Sequence, residues 1–178
     1  NMSGVSLLLF HRVHVDVAKM LIENGADVNA VDGRKWTALH LVSQKGHVDV
    51  AKVLLENGAD VNAVDEIERT ALHFATQKGH VDVAKVLIQN GADVNAVTKD
   101  KLKALHHAAH DGYVDFAKVL IENGADVNAV QIDKWAALHL AAEKGHVDVA
   151  KVLIQNGADV NAVQKDNWTA LHYAAELG

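Results

Sequence analysis

Three histidines within five residues, His106, His107 and His110, are the side chains in this sequence best placed by type to do chemistry. On a helix, His106 and His110 are one turn apart on one face, a spacing that can chelate a divalent metal. No glutamate lies between them and the spacing supplies no third ligand. The expectation is therefore incidental capture of nickel or zinc by His107 and His110, with no resident metal. Most of the other histidines recur with the chain. His40, His73, His106, His139 and His172 each end an Ala-Leu-His string at intervals of 33 residues, and His47, His80 and His146 each follow a glycine. Such residues are expected to tie down loops by hydrogen bonds. With no cysteine in the chain, a thiol nucleophile, a thiolate zinc site and a disulfide are all excluded. No phosphate-cradling glycine loop, nucleophile elbow or dinucleotide fingerprint is present. An enzyme has to break a repeat to build a unique site, and nothing here does so. The residues point to a non-enzymatic protein without a cofactor.

The elements that would hold these residues follow from the repeat. Gly-Ala-Asp-Val-Asn-Ala-Val starts at Gly25, Gly58, Gly91, Gly124 and Gly157, each 33 residues after the last. Gly-His-Val-Asp-Val-Ala-Lys-Val-Leu starts at Gly46, Gly79 and Gly145, and Gly112 opens a variant carrying Tyr113 and Phe116. Each period reads as helix, turn, helix, loop. The clearest first helix runs from about Thr37, a good N-cap, to Lys45, with Gly46 as its stop. The second runs from about Val48 to Asn57, with Gly58 as the left-handed residue beyond it. Asp49, Lys52 and Glu56 fall three and four residues apart, so their charges can pair on one solvent face. Helices this short are marginal alone and persist by stacking, with Leu39, Val42, Val50, Ala51, Val53 and Leu54 as the expected core.

These strings resemble the ankyrin repeat family in length, in the Leu-His of the first helix, in the Gly-His turn and in the Gly-Ala-Asp-Val-Asn-Ala tail. The resemblance covers nearly the whole chain. It implies an all-α ankyrin-repeat solenoid of stacked helix-turn-helix units with projecting β-turn or hairpin loops. The expected organisation is one domain over 1–178: a partial N-terminal capping unit (1–31), full repeats 32–64, 65–97, 98–130 and 131–163, and a partial C-terminal unit (164–178). The family's usual proline is replaced by Ala38, Ala71, Ala104, Ala137 and Ala170, and the chain has no proline at all. Its usual loop-tip glycine is replaced by Lys35, Glu68, Lys101, Lys134 and Asn167. That second departure leaves the shape of the loop tip open, because the turn often needs a positive φ.

Compared with one another, the copies differ mainly between the Ala-Val string and the Ala-Leu-His string. In ankyrin proteins the loop tips and first helices line a concave groove that contacts partners. The resemblance therefore places on that groove Arg34, Trp36, Lys45, Ile67, Arg69, Lys78, Lys99, Asp100, Leu102, His107, His110, Asp111, Ile132, Asp133, Trp135, Glu143, Lys165 and Trp168. Trp36, Trp135 and Trp168 hold one place in the period, as do Arg69 and Leu102, so the fold does not demand an aromatic there. Tryptophan is enriched in binding hot spots, which makes the three an expected anchor for a protein partner; the other reading is that each buttresses the stack.

A net charge of −6 argues against a broad nucleic-acid footprint, and no apolar run reaches membrane-spanning length. The absence of cysteine fits a reducing compartment and a cytoplasmic location if the chain is natural. Near-identical copies with differences gathered in the windows suit an engineered or selected binder. Scattered framework changes at Met20, Leu55, Lys103, Phe116 and Ala136 suit a natural adaptor or effector. Arg34, Lys45, Arg69 and Lys78 make the early windows basic, while Asp100, Asp111, Asp133, Glu143, Asp166 and Glu176 make the later ones acidic. Finally, the ends lack the polar outer faces a solenoid needs. Leu7 to Phe10 stand where a first helix belongs, Val13 stands where the turn glycine belongs, and the last unit stops after its first helix. Fraying of that helix, end-to-end association, or a leading segment folded back as a cap are the expected consequences.

Overall fold

The computed structural model describes residues 4–178, with side chains from Arg12 onward. Among the described residues there are ten helices. A long α1 (Gly4–Glu23) is followed by four pairs: α2 (Ala38–Lys45) with α3 (Val48–Glu56), α4 (Ala71–Gln77) with α5 (Val81–Gln89), α6 (Ala104–Asp111) with α7 (Val114–Glu122), and α8 (Ala137–Glu143) with α9 (Val147–Gln155). A lone α10 (Ala170–Leu177) ends the chain. The first helices α2, α4, α6, α8 and α10 pack in one layer, and α1, α3, α5, α7 and α9 in another. This is the all-helical solenoid that the period implies.

The core lies between the layers. Leu39, Leu72, Leu105 and Leu138 are buried in the first helices, and Leu54, Leu87, Leu120 and Leu153 in the second. Alanines at Ala51, Ala84 and Ala117 are fully covered, which lets adjacent helices approach closely. Phe116 is fully buried where the other copies carry Val50, Val83 and Val149. On the outer face, Asp82–Lys85, Asp115–Lys118 and Asp148–Lys151 pair at i,i+3 with 3.8, 3.8 and 3.2 Å separations. These exposed pairs contribute little to stability.

Two polar ladders tie each unit to the next. The side chain of Asn29 donates to the carbonyl of Gly58 (3.1 Å) and accepts from the amide of Asp60 (2.8 Å). Asn62, Asn95 and Asn128 repeat both bonds one unit on. The histidines form the second ladder. His40 Nδ1 accepts from the amide of Thr37 (3.0 Å), and its Nε2 donates to the carbonyl of Arg69 (3.2 Å). His73 does the same with Thr70 and Leu102. His106 and His139 reach the carbonyls of Ala129 and Ala162 instead. An Nδ1 that accepts from a backbone N–H has to be unprotonated, so this geometry holds each ring neutral. Burial is the first cause that depresses the imidazoles of His40, His73 and His106, the last two to about 4.

The inter-helix turn needs glycine twice over. Gly46 sits at φ 78°, and a Cβ there would lie 2.7 Å from the ring of His80. That ring is fixed by its own Nε2, which donates to the carbonyl of Gln44 at 3.2 Å. Gly112 and His146 repeat the arrangement.

At the N-terminus the structure departs from the sequence expectation. Among the described residues, Gly4 to Glu23 form one continuous helix in place of a first helix, a turn and a second helix. A β-branched valine takes the left-handed turn conformation only under strain, so at Val13 the helix runs on without turning back. A leading segment folded back as a cap is therefore not what the backbone shows. The side chains of Leu7 to Phe10 lie outside the described ones.

Candidate partner-binding surface

Each variable window is a projecting finger closed by a tight turn. The amide of Asp65 donates to the carbonyl of Arg69 (3.0 Å), and the amide of Glu68 to the carbonyl of Asp65 (3.1 Å). The same two bonds recur at Asp32, Thr98, Gln131 and Gln164. Lys35, Glu68, Lys101, Lys134 and Asn167 all take positive φ, between 57° and 66°. The turn thus keeps its shape without glycine, and five non-glycine residues sit in the left-handed region to achieve it. Adjacent fingers are stitched by backbone bonds, from the Glu66 amide to the Arg34 carbonyl (3.3 Å), Lys99 to Ile67 (3.1 Å) and Lys165 to Asp133 (3.0 Å).

The first residue of each window is structural. Asp65 is 4% exposed, and its carboxylate accepts from the amides of Ile67 and Arg69 and pairs with the Arg69 guanidinium at 2.7 Å. Burial alone would push this carboxyl up. The Arg69 amide and guanidinium outweigh it and hold the group below the usual carboxylate range. At Asp32 the same pattern lowers the carboxyl, first through the amide of Trp36.

The expected site residues separate into three groups. Arg34, Lys45, Ile67, Lys78, Lys99, Asp100, His110, Ile132, Asp133 and Lys165 are exposed. Arg69, Leu102, His107, Asp111, Trp135, Glu143 and Trp168 are half-buried. Trp36 is 7% exposed and lies inside the stack. Its ring meets Phe74 of the next unit edge-on at 4.4 Å, with the Arg34 guanidinium 4.1 Å from its centroid. Trp135 packs likewise on Tyr173 at 4.7 Å, and Trp168 lies 5.1 Å from the same ring. Trp36 and Trp135 therefore buttress the following unit, Trp36 most completely, while Trp168 packs within its own, and little of Trp36 is left to meet a partner.

The charge pattern is also reduced locally. Arg34 pairs with Asp32 at 3.0 Å and Arg69 with Asp65, which neutralises much of the early basic character. Asp133 pairs with Lys165 at 3.4 Å, and Asp111 accepts from His110 Nδ1 at 2.6 Å. The histidines do not converge. His106 is committed to its ladder and His107 packs on His73 at 6.3 Å. Among the described residues no group of three potential ligands could hold a metal.

Two exposed features stand outside the expected site residues: Leu41, which differs between copies along with Phe74, His107, Leu140 and Tyr173, and a valine common to every copy. Leu41 is 44% exposed at the place where Phe74 and Leu140 are buried. Val31, Val64, Val97, Val130 and Val163 form an exposed column at the repeat interval, each between 45% and 60% accessible. Because every copy carries this valine, comparing the copies files it with the scaffold.

A stack of short helix pairs presenting fingers of variable, exposed tips defines a helical-repeat solenoid. The profile for "Ankyrin repeats (3 copies)" matches residues 7–98, 62–131 and 105–178, and the chain belongs to the ankyrin-repeat family. Ankyrin repeats are in general protein–protein interaction modules, and the family is typically a non-enzymatic binding scaffold. Among curated proteins, no significant match is found. No described helix is long and apolar enough to cross a membrane.

Proposed function

We propose that this chain is a non-enzymatic scaffold that holds a protein partner against its finger tips and first helices. The carrying observation is the division between a recurring hydrogen-bonded frame and exposed, variable tips at Arg34, Ile67, Lys99, Asp100, Ile132, Asp133 and Lys165. Ile67 and Ile132, 44% and 54% exposed, supply the apolar contact area that the partly buried tryptophans do not. Variation gathered mainly at the tips suits an engineered or selected binder, and the scattered framework changes at Met20, Leu55, Lys103, Phe116 and Ala136 suit a natural adaptor that would use the same surface. The test is capture of partners by the parent, by an Ile67→Ala, Lys99→Ala, Ile132→Ala variant, and by an outer-face control, Asp82→Ala with Asp115→Ala. A partner lost from the first variant and kept by the control is expected. The reverse pattern moves the site to the outer face and overturns the proposal.

A further inference from the structure

We propose that the boundary between the units 98–130 and 131–163 is a compliant joint in the solenoid, loose on its finger side, and that Lys103 sets it. Besides the asparagine ladder, hydrogen bonds from the ladder histidines, the fingers and the inter-helix turns cross from unit to unit. A ladder histidine donates Nε2 to the next unit, as His40 does to the Arg69 carbonyl (3.2 Å) and His73 to the Leu102 carbonyl (3.2 Å). A finger amide donates to the preceding finger, as Glu66 does to Arg34 (3.3 Å), Lys99 to Ile67 (3.1 Å) and Lys165 to Asp133 (3.0 Å). A turn histidine donates to the first helix before it, as His80 does to Gln44 (3.2 Å) and His146 to His110 (3.0 Å). The boundary between 32–64 and 65–97 has all of these. Between 98–130 and 131–163 the first two are missing among the described residues. His106 gives its Nε2 to the Ala129 carbonyl of its own unit at 3.0 Å, and the Trp135 carbonyl across the boundary is its lesser neighbour. The Ile132 amide makes no bond to the Asp100 carbonyl. The bonds that remain, from His146 to His110 and from Asn128 to Gly157 and Asp159, lie at the far turn and in the tail of the unit.

A missing hydroxyl is the cause. In the units 32–64 and 65–97 a threonine caps the first helix, and its Oγ1 holds the histidine's Nδ1, at 2.9 Å for Thr37 and His40 and 3.0 Å for Thr70 and His73. A ring gripped there presents Nε2 to the next unit. Lys103 and Ala136 stand at that place in the following units and supply no hydroxyl. His106 and His139 keep only a backbone amide on Nδ1, at 3.0 and 3.1 Å, and both turn Nε2 to their own units. The boundary after 131–163 shares this loss but keeps its finger bond and adds the Lys165–Asp133 pair at 3.4 Å. Lys103 serves the opposite boundary instead. Its Nζ reaches Asn95 Oδ1 at 3.4 Å and the Asp126 carboxylate at 3.9 Å, beside the ladder bond from the Asp126 amide to Asn95 (2.9 Å). One side chain thus fastens 98–130 to the unit before it and releases it from the unit after it. Ile67 lies on one side of the joint and Ile132 on the other. Opening therefore changes the distance between the two exposed isoleucines while α7 and α9 stay packed.

The chain has no cysteine, so nitroxide labels go only where cysteines are placed. Exposed loop tips two units apart give a pair that spans the joint, Glu68→Cys with Lys134→Cys, and a control pair that does not, Lys35→Cys with Lys101→Cys. Double electron–electron resonance on the full chain reads both, with circular dichroism confirming that each variant is folded. The distance distribution of the joint pair is expected to be about twofold broader than that of the control. Adding Lys103→Thr is expected to narrow the joint pair to the control's width, and adding Lys103→Ala, which removes the lysine without supplying a hydroxyl, is expected to leave it broad. A joint pair as narrow as the control overturns the proposal. So does a broad joint pair that Lys103→Thr leaves unchanged, or one that Lys103→Ala narrows equally. If Lys103→Thr loses helicity, Lys103→Ser supplies the same hydroxyl and makes the same test.

Discussion

The ring of Trp36 meets the ring of Phe74 at a centroid distance of 4.4 Å and an angle of 60°, joining a finger to the first helix of the following unit. The Arg69 guanidinium covers the Phe74 ring at 4.4 Å, and Arg34 covers Trp36. Trp135 and Tyr173 occupy the same two places three periods further on, with a similar contact of 4.7 Å. Trp36→Ala should therefore destabilise the fold by about 3 kcal/mol, as removal of a buried aromatic does, in urea denaturation followed by circular dichroism. Trp135→Ala, at a half-buried site, should cost less. Equal, negligible losses for both would remove the buttressing role.

Truncation of the exposed isoleucines should behave oppositely. Ile67→Ala or Ile132→Ala is expected to leave the melting temperature nearly unchanged and to weaken binding of a captured partner by about 1–2 kcal/mol in calorimetric titration. Unchanged affinity in both would place the contact elsewhere.

The loop tips are strained where glycine is absent. A left-handed residue with a Cβ costs roughly 1–2 kcal/mol, of which the greater freedom of unfolded glycine returns about 0.5–1 kcal/mol. Glu68→Gly and Lys101→Gly should each stabilise the chain by about 0.5 kcal/mol or more, and Asn167→Gly by less, because asparagine tolerates this region. Thermal melts of the single variants check the order.

Ser43 is a second misfit in the frame. Its hydroxyl is fully buried in α2 and, among the described residues, has no hydrogen-bond partner. Thr76, at the equivalent place, donates to the carbonyl of Leu72 at 2.8 Å, and Ala109 and Ala142 need no partner. Ser43→Ala should stabilise by about 1 kcal/mol. A loss of stability of that size would show that the hydroxyl is satisfied in solution.

The histidine ladder makes stability depend on pH. His40, His73 and His106 are lowered by burial, the last two to about 4 from an ordinary 6.5. Between these values the unfolded chain binds more protons than the folded one. Stability is then full above about pH 6.5 and falls as pH drops towards 4. By linkage His73 and His106 each contribute at most about 3 kcal/mol to that fall. Urea midpoints between pH 7 and 4.5 should show it, and His73→Asn should flatten the slope. A slope identical to the parent's would mean His73 does not carry the effect.

The sequence by itself determined the period, the helix pairs and the family, because those depend on local signals that recur: apolar spacing, capping threonines and turn glycines at Gly46 and Gly58. It also located the variable windows, since comparing copies needs no coordinates. What only the tertiary structure decided lies between units. Trp36 is buried because Phe74, thirty-eight residues later, comes to meet it, and no local pattern announces that contact. Lys35 and its equivalents accept a positive φ because the bonds across the finger and between fingers fix the turn around them. Val13 leaves α1 straight, a choice between turning and continuing that depends on whether one strained residue is outweighed by the packing of a helix folded back beside it. Local propensity writes the elements of a solenoid; contacts with neighbouring units decide which of their side chains remain available.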